Sequence, residues 1–179
     1  RDLHSFPTRR SSDLLMDTPL SKAQNEYLKI LQESGELLLK LINDVLDLAK
    51  IEASRLELNN DLFDLDQTIS AVRKIVYPRV LSKNLNLILE VDPCIPASLY
   101  GDELRLKQVL VNLLTNAVKF TPEHGKIELK AIVRNSNGTD IVISFSVNDT
   151  GIGIPLEQQS TIFEAFSQAD SSTTRRFGG

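Results

Sequence analysis

The feature that most constrains the fold is a strand pattern that runs directly into a glycine-rich turn. Alternate residues are apolar from position 141 to 147, which is the period-two pattern of a half-buried β-strand. The turn that follows reads Asp149-Thr150-Gly151-Ile152-Gly153-Ile154-Pro155. Because proline is favoured at the first position of a helix, Pro155 predicts a new helix here. The stretch therefore predicts a strand, a tight turn and a helix in succession.

The same turn is a candidate ligand site. Asp149 offers an acidic acceptor, and Gly151 and Gly153 leave backbone with little side-chain bulk beside it. This combination suits a flat, donor-rich ligand such as adenine. Taken alone, the pattern favours an ordinary strand-to-loop turn, and it lacks the third glycine of the dinucleotide fingerprint. Its meaning depends on the other motifs of the chain.

Composition excludes several classes of function. The 179 residues are enough for one domain with an appendage, and the formal net charge of −4 gives no basic footprint for nucleic acid. Cys94 is the only cysteine, so an internal disulfide is impossible and a cysteine-based metal site is disfavoured. No apolar run approaches the length of a membrane span.

The first fourteen residues fit no structural pattern. They have neither helical nor strand periodicity, and they lack the apolar segment of a signal peptide. We predict that residues 1–14 are a non-native leader, translated from a sequencing adapter joined to a truncated gene. His4 lies within this leader, so we expect it to have no functional role.

A long helix is predicted from residue 21 to about residue 55. Ser21 and Gln24 form a capping-box pattern at its start. The apolar residues form a stripe wider than a two-position seam, as in a four-helix bundle. We predict that residues 15–56 are the second part of a dimerising helical hairpin, and the core helix of a monomer is the alternative. The apolar series are Leu31, Leu38 and Val45; Leu41 and Leu48; and Leu28, Ile42, Ala49 and Leu56.

Residues 57–179 predict a globular α/β domain that follows a weak linker at 59–61. A mixed apolar pattern predicts a helix over 65–80, and clean alternation predicts strands over 84–91 and 126–133. Asn137-Gly138 predicts a hairpin turn with positive φ at both residues, leading into a strand over 140–147. Helices interspersed with such strands predict a two-layer sandwich, with helices on one face of a mixed sheet.

A second informative stretch, residues 101–122, predicts an amphipathic helix. Its apolar face carries Leu106, Leu110, Leu113 and Ala117, and its polar face carries Arg105, Gln108, Asn112, Asn116 and Lys119. A polar face is usually just solvated, yet asparagine is a poor residue for a helix interior. The amide oxygens of Asn112 and Asn116, one turn apart, suit Mg²⁺, and Lys119 could supply charge for phosphate.

The last stretch is consistent with both a structural and a ligand-binding role. Phe163 and Phe166 have the spacing of core residues, and the Ser/Thr-rich segment 167–174 predicts a loop. Arg175 and Arg176 follow, and could reach phosphates or remain solvated.

Together these motifs resemble a two-component sensor histidine kinase of the hybrid type, over residues 15–179. Residues 41–52 resemble the second helix of the dimerisation hairpin, and residues 102–121 resemble the asparagine box. Residues 149–153 resemble the first glycine box, residues 162–166 the phenylalanine box, and residues 178–179 the start of the second glycine box.

The resemblance implies an ATP-binding domain with the fold shared with gyrase and MutL ATPases. Asp149 would accept from the adenine amino group, and Gly151 and Gly153 would let backbone approach the nucleotide. Asn116 would coordinate Mg²⁺, and Asn112 aligns with the position that often polarises the attacking group. The other nucleotide-binding residues implied, including those of the lid, are Lys119, Phe120, Arg175, Arg176, Gly178 and Gly179.

The chain departs from the family pattern in two ways. The His-Glu-x-Arg-Thr-Pro box of the acceptor is absent, since His4 lacks the acidic neighbour and His124 lies in a predicted turn. The glycine-rich remainder of the last box is also absent, so we expect this fragment not to phosphorylate itself. The implied partners are ATP, a second copy through the hairpin and a response-regulator receiver domain, with no nucleic acid.

The resemblance also implies a cytoplasmic location, and leaves open whether the parent protein is anchored in the inner membrane. Two rival functions remain. One is a clamp-type ATPase of the same fold, and the other is a non-catalytic dimerisation scaffold with a vestigial pocket.

Overall fold

The computed structural model describes residues 18–138 and 140–160. The chain divides between Glu57 and Leu58 into two compact units, each described here by itself. The N-terminal unit contains helix α1, Lys22–Glu52. The second unit contains, in chain order, β1 (Asp61–Asp64), α2 (Leu65–Ser82), β2 (Asn86–Val91), β3 (Ser98–Gly101), α3 (Glu103–Phe120), β4 (Lys126–Ser136), β5 (Ile141–Asp149) and α4 (Leu156–Gln159).

Helix α1 begins at the predicted cap and continues for 31 residues. The Ser21 hydroxyl accepts from the Gln24 N–H (3.3 Å), and the Gln24 side chain accepts from the Ser21 N–H (2.9 Å). This reciprocal pair confirms the capping box. The apolar stripe is exposed, with Leu31, Leu38 and Leu41 between 54% and 59% accessible. Within the described part of the chain, no helix is long and apolar enough to cross a membrane.

The second unit is built on a three-stranded sheet of order β2-β4-β5. Strand β2 runs parallel to β4, and β5 runs antiparallel to β4 with Ile127 opposite Asp149. The sheet is therefore mixed, as predicted. A separate antiparallel pair, β1 with β3, was not predicted because each strand has only four residues. Such short segments carry too few alternations to be recognised from the sequence.

Helices α2 and α3 supply the second layer and enclose the core. Leu110 and Leu114 of α3 are completely buried, as are Val72 of α2 and Ile127 of β4. The remaining buried members of this cluster are Leu65, Ile69, Val76, Val80, Leu85, Leu99, Ala117, Val118 and Leu129. Their convergence confirms the predicted α/β sandwich.

One residue of the predicted apolar face is exposed. Leu113 is 42% exposed, and Leu114 takes the central position in the core. Residues on an α-helix rotate by 100° each, so Leu114 and Ala117 lie within about 40° of Leu110, whereas Leu113 lies about 60° away. The apolar face is centred one residue later than the sequence pattern suggests.

The β4–β5 hairpin forms, but with a different turn from the predicted one. Gly138 has φ +78°, whereas Asn137 is not among the described residues with positive φ. Ser136 pairs with Ile141, so four residues connect the strands, and the Asn137 N–H donates to the Asp140 carbonyl at 2.9 Å. The strand register makes this connection four residues long. A connection of that length does not require positive φ at both positions that the two-residue turn would use.

Candidate functional site

Two segments singled out by the sequence meet in the second unit: the carboxyl end of α3 and the turn after β5. A Cβ built on Gly151 would lie only 2.7 Å from the Phe120 carbonyl oxygen. Nearby, a Cβ on Gly125 would contact Thr121 and come within 3.0 Å of the Thr150 hydroxyl. Only glycine permits such an approach at residue 151, so the turn and the helix end are in direct contact.

Asp149 ends strand β5 and is exposed. Its Oδ1 accepts from the Gly151 N–H at 2.8 Å, which closes a local side-chain turn. Its Oδ2 accepts no hydrogen bond from the residues that the structure describes. One carboxylate oxygen is therefore used to fix the side chain, and the other is free to accept from a ligand.

Thr150 anchors this turn to the sheet. Its hydroxyl accepts from the Lys126 N–H at 2.9 Å, and its own N–H donates to the Lys126 carbonyl at 3.0 Å. No role was predicted for Thr150 from the sequence, because its partner Lys126 is 24 residues away and the contact leaves no local pattern.

Gly153 differs from Gly151 in the reason for having no side chain. Its φ is +68°, and a Cβ there would meet nothing within 4 Å. The requirement at Gly153 is therefore conformational, whereas the requirement at Gly151 is spatial. Pro155 is the N-cap of α4 rather than its first helical residue, so the helix begins one residue later than predicted.

The start of α3 is fixed by Asp102. Its Oδ1 accepts from the Arg105 N–H at 2.9 Å, and its Oδ2 accepts from the Asn59 N–H at 3.1 Å. Donation from the Arg105 N–H holds the pKa of the Asp102 carboxyl below its usual range, because the bond favours the ionised form. This cap sets the start of the helix that presents the two asparagines.

The predicted polar residues of α3 occupy one accessible side of the helix. Asn112 and Asn116 are exposed, and within the described ranges no hydrogen bond to either amide is formed. Lys119 is half-buried, with its Nζ 5.2 Å from the centroid of the Phe120 ring. The last turn of α3 therefore brings a cation and an aromatic ring to the helix end that contacts Gly151.

A metal at this site would need ligands in addition to those that the described residues supply. Among residues 18–138 and 140–160, no cluster of three histidine, cysteine or acidic side chains could hold a metal ion. Mg²⁺ accepts amide oxygens and retains waters and phosphate oxygens in its coordination shell. The exposed amides of Asn112 and Asn116 fit that preference.

Several predicted site residues lie outside the described part of the chain. These are Arg175, Arg176, Gly178 and Gly179, together with the phenylalanine pair at 163 and 166. His4 and the predicted boundary at residues 14 and 15 also lie outside it. Their roles remain predictions, as do those of the described site residues.

Two family models match this chain. Residues 101–179 match the histidine kinase-, DNA gyrase B- and HSP90-like ATPase family, and residues 10–54 match the His Kinase A (phospho-acceptor) domain. The first range includes the whole of α3 and the turn after β5. The second ends two residues beyond helix α1.

Similar proteins point in the same direction. The chain is 44% identical to hybrid signal transduction histidine kinase L of Dictyostelium discoideum, over 94% of this chain and 10% of that protein. It is 40% identical to the signal transduction histidine-protein kinase BarA of Escherichia coli, over 93% of this chain and 18% of that protein. The chain thus spans less than a fifth of either relative.

One solved structure is similar to this chain in both fold and sequence. Full-length ShkA in complex with AMPPNP superposes with a TM-score of 0.71 at 36% identity, covering 92% of this chain and 34% of that one. The histidine kinase AdeS of Acinetobacter baumannii gives a TM-score of 0.60 at 25% identity, covering 83% and 70%. With both domain models matched in order, these similarities support a sensor histidine kinase fragment.

Proposed function

We propose that the chain is the dimerisation-helix and ATP-binding portion of a hybrid-type histidine kinase in two-component phosphorelay signalling. The observation that carries this proposal is the Asp149 carboxylate. One of its oxygens is held by Gly151, and the other is open beside the carboxyl end of α3. A fixed, charged acceptor of this kind suits the exocyclic amino group of adenine.

The proposed nucleotide lies between the turn after β5 and the polar side of α3. Asp149 would accept from adenine, and Gly151 and Gly153 would admit the nucleotide close to the backbone. Lys119 and Phe120 would line the pocket at the helix end, where they contact each other. Arg175, Arg176, Gly178 and Gly179 belong to the proposed lid, by resemblance to the family alone.

Asn116 is the proposed Mg²⁺ ligand, with Asn112 one turn away as the proposed polarising residue. When bound, Mg²⁺ would neutralise charge on the nucleotide phosphates. Both amides are exposed and form no hydrogen bonds to the described residues, so neither must break a protein contact to act. Helix α3 fixes their spacing, because both belong to one continuous run of helix.

The proposed reaction is phosphoryl transfer to a histidine of the dimerisation hairpin. A neutral imidazole nitrogen forms a bond to the γ-phosphorus, the bond to the bridging oxygen breaks, and ADP leaves. Such transfer depends on positioning and charge neutralisation more than on covalent participation by the protein. Helix α1 contains no histidine, so the acceptor would come from outside residues 22–52.

The same proposal includes a homodimer formed through the hairpin, a receiver domain as the next phosphoryl acceptor, and a cytoplasmic location. The exposed apolar stripe of α1 supports the dimer. The match of residues 10–54 to a phospho-acceptor domain favours the kinase over a clamp-type ATPase, whose function would not need that domain.

Binding of a fluorescent ATP analogue with Mg²⁺ tests the proposal. Asp149→Asn keeps an oxygen for the Gly151 N–H but loses the charge that would receive adenine. We expect affinity to fall roughly tenfold or more. The matched control is Asp140→Asn, which makes the same charge change at an exposed residue just before the other end of β5.

Unchanged affinity in Asp149→Asn would contradict the adenine assignment. Binding by neither protein would favour the scaffold function for this chain. A second assay separates the kinase from a clamp-type ATPase: radiolabelled ATP is supplied together with a helical hairpin that carries an acceptor histidine. Label on the hairpin supports the kinase, and release of free phosphate without labelling contradicts it.

A further inference from the structure

Lys83, the residue after α2, places its ammonium group at the carboxyl end of α3. The Nζ donates to the carbonyl oxygens of Val118 (2.7 Å), Lys119 (2.9 Å) and Thr121 (3.1 Å). A lysine ammonium has three N–H donors, and here each has one carbonyl partner. The contact joins the end of α2 to the end of α3, between residues that are 35 to 38 positions apart in sequence.

These carbonyls need a partner because of where the helix ends. The last four carbonyl groups of an α-helix have no N–H donor within the helix. A cation is also favoured at this negative end of the helix dipole. In α3, the Thr121 N–H reaches only the Ala117 carbonyl. Lys83 supplies donors for the next two carbonyls, and the fourth, that of Phe120, lies against Gly151.

The backbone around Lys83 holds the following loop as well. The Lys83 carbonyl accepts from the His124 N–H at 3.2 Å, and the Asn86 N–H donates to the Gly125 carbonyl at 2.8 Å. A Cβ built on Gly125 would in turn lie 3.0 Å from the Thr150 hydroxyl, so this loop lies close to the turn after β5. The segment from Lys83 to Asn86 therefore fixes both the end of α3 and the loop that supports the turn after β5.

We propose that Lys83 is a positioning residue of the nucleotide site. It acts through the backbone of α3, holding the last turn, with Lys119 and Phe120, against Gly151 and keeping Asn116 in register just before that turn. The inference rests on the proposed function, since it concerns the same site. Lys83 lies outside every motif that is recognisable in the sequence.

The test uses the full chain with Lys83→Met, which keeps an unbranched side chain, one atom shorter, and removes its donors. We expect the Kd for the fluorescent ATP analogue with Mg²⁺ to rise about three- to tenfold. Lys83→Arg retains donors and should recover most of the affinity. The control is Lys130→Met, which removes a lysine that pairs with Glu90 and Glu128 on the other face of the sheet and should change Kd by less than about twofold.

Amide hydrogen exchange separates positioning from general stability. In Lys83→Met, we expect faster exchange in the last turn of α3 and at Gly151, with β4 unchanged. Equal loss of protection throughout the second unit, or no loss at the helix end, would overturn the inference. Unchanged affinity in Lys83→Met would also overturn it.

The Asp149→Asn variant distinguishes this failure from that of the proposed function. If Asp149→Asn loses affinity and Lys83→Met does not, only the role of Lys83 is refuted. If Asp149→Asn retains affinity, or the unsubstituted chain does not bind, the proposed function fails and the inference fails with it.

Discussion

Helix α1 and helix α3 are both amphipathic, but among the described residues the apolar face is buried in α3 and exposed in α1. In α3, Leu110 and Leu114 are fully buried against α2 and the sheet. In α1, Leu38 and Val45 remain 59% and 51% exposed. An apolar stripe thus indicates that a surface needs a partner, but it does not say whether that partner lies in the same unit. Most of the stability of a helix comes from that partner rather than from its own propensity.

The largest difference between the two helices is expected when one leucine is removed from each. Leu110→Ala should lower the free energy of unfolding by about 2–5 kcal/mol, because it removes buried methyl groups and leaves a cavity. In the monomeric chain, Leu38→Ala should change it by less than about 0.5 kcal/mol, since the residue is 59% exposed. Urea denaturation of the chain measures both. A comparable loss in Leu38→Ala would mean that another surface covers α1 in solution.

A glycine in each unit provides the next test. Gly151→Ala places a Cβ 2.5 Å from Asp149 Oδ1 and 2.7 Å from the Phe120 carbonyl, so we expect a loss of about 1–3 kcal/mol in stability. Gly35 lies in α1, and the Cβ of Gly35→Ala would meet nothing within 4 Å. Alanine favours helix over glycine by about 1 kcal/mol, so this variant should gain helicity.

Thermal denaturation monitored by circular dichroism measures both glycine variants. Stability changes of the same sign would contradict the contrast between a packed turn and an open helix.

The smallest expected effect concerns the cap of α3 and depends on pH. Because the pKa of Asp102 is lowered in the folded protein, its contribution to stability is present above the ordinary value of 3.8 and is lost as pH falls through the folded pKa. Asp102→Asn keeps a capping oxygen without the charge. We expect the variant to be less stable than the unsubstituted chain at pH 7 and to match it near pH 2.

Urea midpoints at several pH values measure this dependence. The capping serine of α1 does not titrate in this range, so Ser21→Asn serves as the control. A difference between Asp102→Asn and the unsubstituted chain that persisted to pH 2 would contradict the assignment.

The positions of the glycine-rich turn, of the helix that carries the asparagines and of the cap at Ser21 could be predicted from the sequence, because each is marked by a local pattern. The roles of the site residues remain predictions. Lys83 and Thr150 could not be predicted in this way, because their partners lie more than twenty residues away. Leu114 rather than Leu113 is buried for a related reason, because packing against the sheet decides which side of the helix is buried.

The sequence alone determined the order of the helices and longer strands, the mixed sheet and the position of the glycine-rich turn, since hydrophobic periodicity and turn chemistry are properties of short segments. Only the tertiary structure decided how that turn meets the end of α3, how the hairpin register lengthened its connection, and which lysine caps the helix. Those outcomes depend on contacts between distant segments, whose free energies are set by packing and hydrogen-bond geometry in the folded chain.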